Sequence, residues 1–341
     1  MNLGNPWKSW KYRRAYATAS ALAAVALVAR AQAPVAGQGQ TMAPPKAVTI
    51  PRTRDGHPDF QGIWINGTTT PFERPASLGD KGFYTEEEVA AAERQAAERR
   101  ATPAPRRAGD VGTDNEAFVD TGYTITSTRQ TSLVVDPPDG RMPLLPDAEK
   151  RRDFNLRNVE TFETMSPWDR CITRGPTALF PANYNNGYQI IQSPGYVTIV
   201  AEMIHDARVV PVDMPHLSPG VRSLSGDPRG HWDGATFVVD TTNFDDRGWI
   251  STHQGSGRLR GIPITKTLHL IERFSLADAN TMIYRMTLDD PAMFARPWTV
   301  QIPFARDDTY QMFEYACAEG NQAIGNILRG ARREEREALN P

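Results

Sequence analysis

The chain has 341 residues, 40% hydrophobic and 23% charged, with a formal net charge of −2. A balance this close to neutral, and acidic in sign, gives no footprint for nucleic acid or an anionic membrane surface. Its two cysteines, Cys171 and Cys317, are too few and too far apart to make a metal site by themselves.

The N-terminus reads as an export signal. Lys8, Lys11, Arg13 and Arg14 precede a moderately apolar run at 15–28, and Ala29-Arg30-Ala31 has the small-x-small form of a cleavage site. Segment 1–31 is therefore expected to be removed, through the general route or, with Arg13-Arg14, the twin-arginine one. Losing its five positive charges takes the net charge from −2 to −7. No later run approaches the length of a membrane span, so a periplasmic or secreted protein is expected. There an even cysteine count favours a Cys171–Cys317 disulfide over two buried thiols.

Residues 32–57 read as a flexible leader, and the rest, 58–341, as one β-rich domain. The first strand is expected from Asp59 to Trp64. Thr85 to Glu88 forms a capping box that opens a solvated helical arm at 85–100, followed by a loop at 101–115. Strand-like runs follow at 131–135, 188–192, 196–203, 208–212, 235–243, 265–274, 281–288 and 298–304, separated by Asp, Gly, Pro and Asn turns. In 281–288, Met282, Tyr284, Met286 and Leu288 share one face. The fold class is mainly β, an antiparallel barrel or sandwich of lipocalin or calycin type. Ile324, Ile327, Leu328 and Ala331 add a C-terminal amphipathic helix expected to dock on it.

Five segments carry a resemblance: Pro58-Asp59-Phe60-Gln61-Gly62-Ile63-Trp64, the run from Arg129 to Arg141 (RQTSLVVDPPDGR), Glu202 to Asp206, the run from Trp232 to Phe244 (WDGATFVVDTTNF), and Glu314 to Asn321 (EYACAEGN). Across nearly all of the mature chain they resemble a family of exported, largely uncharacterised bacterial proteins. The resemblance implies a histidine at position 318, where this chain has Ala318, and lends no reaction.

Glu202-Met203-Ile204-His205-Asp206 is the leading chemical candidate. A carboxylate beside an imidazole is the minimum kit for proton transfer. The strand register assigns Glu202 to the sheet and His205 and Asp206 to a turn, which favours a His205–Asp206 pair. The bland reading is a hairpin turn at Asp206-Ala207 with His205 bonded to backbone. Tyr184 and Asn185 precede a strand and could line a pocket, although Asn-Asn-Gly is also a good turn. His216 and Arg222 lie in a loop at 215–226, and His269 and Tyr284 become pocket groups if their faces point inward.

The acidic pairs Asp245-Asp246, Asp289-Asp290 and Asp307-Asp308 fall at strand ends and read as turn chemistry. Trp232, Trp249 and Trp298 could stack a sugar or aromatic ring, with core packing expected for at least two. No G-x-S-x-G, H-E-x-x-H, C-x-x-C or P-loop occurs, and Gly255-Ser256-Gly257 is too short for a dinucleotide fingerprint. The sequence therefore points to an exported enzyme for a small apolar or aromatic molecule. It would work by acid/base hydrolysis, elimination or isomerisation, with no cofactor. A non-catalytic ligand-binding or envelope protein is the alternative, and a metal-dependent hydrolase using Glu202, His205 and His216 the third reading.

Overall fold

A computed structural model describes residues 49–101, 122 and 124–339, all within one compact unit. The expected signal at 1–31, the leader up to residue 48 and the loop at 102–115 lie outside the described residues.

Alternating apolar and polar residues produce ten strands: β1 (Gly62–Ile65), β2 (Val134–Asp136), β3 (Gly187–Ser193), β4 (Tyr196–Ala201), β5 (Asp206–Pro211), β6 (Asp227–Asp233), β7 (Thr236–Thr242), β8 (His269–Leu276), β9 (Thr281–Asp289) and β10 (Trp298–Arg306). They pair antiparallel in the order β5-β4-β3-β1-β10-β9-β8-β7-β6, with β2 also on β10. The sheet curls into a nearly closed barrel, whose two end strands meet through a bridge between Val212 and Gly230. Two-residue turns set the registers of the β3–β4 and β6–β7 hairpins. Between β3 and β4, Pro194 is followed by Gly195 at φ 77°, the left-handed position that glycine adopts without strain.

The inner face is the apolar half of each strand. Met282, Tyr284, Met286 and Leu288 are all buried, as are Leu270, Glu272 and Phe274 of β8 and Trp298, Val300, Ile302 and Phe304 of β10. Trp249 and Trp298 are core residues, whereas Trp232 stacks on His57 with ring centroids 4.2 Å apart. The acidic pairs do work as turn groups: Asp245 accepts from the Arg247 N–H, Asp290 from Ala292, and Asp307 from Thr309.

Three helices complete the unit: α1 (Glu86–Ala101), α2 (Pro146–Arg157) and α3 (Ala323–Leu339). The capping box of α1 forms in both directions, Thr85 N–H to Glu88 at 2.8 Å and Glu88 N–H to the Thr85 hydroxyl at 3.3 Å. No residue of α1 is buried.

Four features depart from the sequence reading. Helix α2 was not expected, although Pro146 at its first position and Asp147 and Glu149 in its first turn are helix-start signals. Strand β2 has only three residues, because Gln130, Thr131 and Ser132 turn their side chains to backbone carbonyls instead. Residues 51–59, mostly leader by sequence, close a turn with Thr53 N–H to His57 O and Asp59 N–H to Pro51 O, both 2.9 Å. Helix α3 buries no residue; Asn321, two residues before its start, donates to the Asp169 carbonyl at 3.0 Å.

Candidate functional site

The acid–histidine–acid segment is the reversal between β4 and β5. Glu202 keeps right-handed torsions, then Ile204 (φ 64°) and His205 (φ 41°) enter the left-handed region and turn the chain back. This corrects the expected register: Glu202 to His205 form the turn, and Asp206 opens β5 opposite Ala201. Packing explains the shift. Met203 and Ile204 are buried with Ala182 beneath Trp168, Tyr184, Tyr315 and Cys317, which fixes the turn one step early.

Glu202 is 1% exposed, and three donors satisfy its carboxylate: Asn185 Nδ2 at 2.7 Å, the Tyr310 hydroxyl at 2.7 Å and the Phe313 N–H at 3.0 Å. A Cβ on Gly187 would lie 2.5 Å from its Oε2, so only glycine admits the carboxylate here. Glu202 thus ties the 184–187 turn to the 310–313 segment. His205 is exposed, and among the described residues its ring bonds neither acid. Asp206 accepts from the Thr173 hydroxyl at 2.5 Å instead. The expected His205–Asp206 pair does not form.

The other sequence candidates divide into three places. His269 and Tyr284 sit on opposite faces of the sheet. Tyr284 points inward and donates to Glu272 at 2.9 Å, and Glu272 also holds Arg208. His269 and His216 meet outside, where Asp240 Oδ1 lies 3.0 Å from His269 Nε2 and 3.3 Å from His216 Nε2; Asp227 takes His216 Nδ1 at 3.0 Å. Arg222 donates to the Phe244 and Lys266 carbonyls. Among the described residues no three His, Cys, Asp or Glu side chains are placed to hold a metal ion, so Glu202, His205 and His216 form no ligand set.

Tyr184 and Asn185 do line a cavity. It is a cleft of about 700 Å³ walled by Trp168, Asp169, Tyr184, Asn185, Glu314 and Tyr315. The Cys171–Cys317 disulfide closes one side, bringing together segments 146 residues apart. Tyr184 and Tyr315 stack with planes 9° apart and hydroxyls 3.3 Å apart, and the Trp168 indole N–H points to the Tyr315 oxygen at 3.3 Å. Burial and the Tyr315 phenol push the Tyr184 pKa up, so this phenol stays protonated. Burial also raises the Asp169 carboxyl, against the pull of Arg260 and Arg174.

No protein-family model matches the chain, and a comparison with curated proteins returns no significant match.

Behind Trp168 lies a buried cation. The Arg174 guanidinium sits 4.9 Å from the Trp168 ring centroid and contacts His253 Nδ1, and desolvation lowers its pKa to about 10. Because arginine only donates, Nδ1 must accept, and Nε2–H donates to the Thr177 carbonyl at 3.0 Å. His253 is thus neutral with a fixed tautomer. Sequence reading missed Trp168, Asp169, Arg174, His253 and Tyr315. One signal was present: the expected disulfide brings Trp168-Asp169, just before Cys171, against Tyr315, just before Cys317.

Proposed function

We propose that the protein is an exported enzyme acting on a small, mostly apolar ring compound in the aromatic cleft, by acid/base chemistry without a dissociable organic cofactor. One observation carries the reading: a half-buried carboxyl with a raised pKa stands at a cleft walled by three aromatic rings. A ring would lie against Trp168 and the Tyr184–Tyr315 pair. A carbonyl or ether oxygen on it would take a hydrogen bond from a protonated phenol. Asp169, whose pKa burial raises, would deliver or remove the proton in a hydrolysis, elimination or isomerisation. Glu202 acts by positioning Asn185, which lines the cleft, and His205 stands outside the proton path. The disulfide and the basic, apolar N-terminus support export.

Turnover of a panel of aromatic esters, lactones and enolisable ketones, followed by mass spectrometry, tests this. Asp169→Asn should cut the rate at least about 100-fold while retaining ligand binding, and His205→Asn should stay near the wild-type rate. The reverse pattern would return the chemistry to His205. Stoichiometric capture with no product in the wild-type protein would establish the carrier reading instead.

A further inference from the structure

We infer that the seam between β5 and β6 holds a second binding site, separate from the cleft, for a small neutral ring compound bearing a hydroxyl group. Among the described residues the backbones of the two end strands meet there through the Val212–Gly230 bridge and the Asp213 N–H to Gly230 carbonyl bond at 2.8 Å. Alongside, the strands and the 175–179 segment line a partly open cavity of about 190 Å³. An apolar cavity of about 150 Å³ accommodates benzene, so this one suits a single six-membered ring with one small substituent.

Its walls define the ligand's chemistry. Pro176, Leu179, Ile199, Ala201 and Pro228 supply apolar surface, while Asp206 and Arg208 supply the polar end. Arg208 is held by Glu272 in a two-pronged bond, Nη1 to Oε2 at 2.6 Å and Nη2 to Oε1 at 2.9 Å, and Tyr284 donates to the same carboxylate. The guanidinium charge is thereby matched inside the barrel, but its further N–H groups remain donors. Asp206 takes one hydroxyl, from Thr173, and keeps further acceptor positions. A ligand hydroxyl satisfies both sides, accepting from Arg208 and donating to Asp206. An anion would meet the Asp206 carboxylate, and an ammonium group would meet a guanidinium.

A buried ion pair contributes little to stability over well-packed apolar residues of the same volume. Its position at the polar end of a cavity, rather than in solid core, is what a recognition role requires.

Calorimetric titration of the intact protein with phenol tests the site. Phenol should occupy the seam with a stoichiometry of one, and any phenol taken by the aromatic cleft should appear as a second class of binding that Tyr184→Ala removes. Ser225→Trp, an exposed position on the cavity lining, should weaken the seam class at least tenfold, and Tyr184→Ala in the cleft should leave the seam class unchanged. Benzoate and benzylamine should each bind at least tenfold more weakly than phenol. Should Ser225→Trp melt below the wild type, Ala207→Phe, also exposed on the lining, replaces it. No binding of phenol, equal binding of benzoate at the seam, or loss of every class of phenol binding in Tyr184→Ala would overturn the inference.

Discussion

At the scale of residues, Glu202 and His205 are neighbours with opposite fates. Removing the Glu202 carboxylate would take away the shared acceptor of part-buried donors on Asn185, Tyr310 and the Phe313 backbone. Glu202→Ala should therefore cost about 1–3 kcal/mol or more, read as a lower urea midpoint with an unchanged slope. His205 is exposed at a left-handed φ that asparagine tolerates, so His205→Asn should shift stability by less than about 0.5 kcal/mol. The sequence marks this segment as chemically unusual, but not which way each side chain faces. That depends on Tyr310 and Phe313, more than a hundred residues away, and on the burial of Met203 and Ile204, which moves the turn by one position. His269 and Tyr284 make the same point. Alternation along β9 reveals the face carrying Tyr284, yet only the closed barrel shows that His269 of β8 lies on the other.

At the scale of elements, hairpins were legible because their signals are local: period-two alternation and Pro-Gly or Asp-Gly turns act within a few residues. The cleft was not, because three separate segments build it: 168–171, the 184–187 turn and the 310–321 strap. The disulfide joins the first and last of these. A Cys171→Ser, Cys317→Ser double variant should lose about 2–5 kcal/mol of stability. It should also lose affinity for ring ligands at the cleft, measured by titration well below its melting temperature. The barrel strands should keep their circular-dichroism signature, since no strand contains either cysteine.

At the scale of the whole molecule, a buried neutral imidazole ties stability to acidity. Burial, and then the Arg174 charge, hold the His253 pKa well below the ordinary 6.5, although the Thr177 carbonyl pulls the other way. Between these two values the unfolded chain binds a proton that the folded protein refuses, so stability rises with pH through that window and falls on acidification. The urea midpoint should drop as pH falls from about 7 to about 5, and His253→Gln should flatten that part of the curve. An unchanged slope in the variant would show that other groups set it. The disulfide has a mechanical consequence as well. Strands β3 to β10 lie inside the covalent ring closed at Cys171 and Cys317, while β1, outside it, is wedged between β3 and β10. Pulled by its two ends, the oxidised molecule can pay out only the chain outside the ring. At about 3.3–3.6 Å per residue, the 146-residue separation keeps roughly 500 Å of contour length hidden until the bond is reduced.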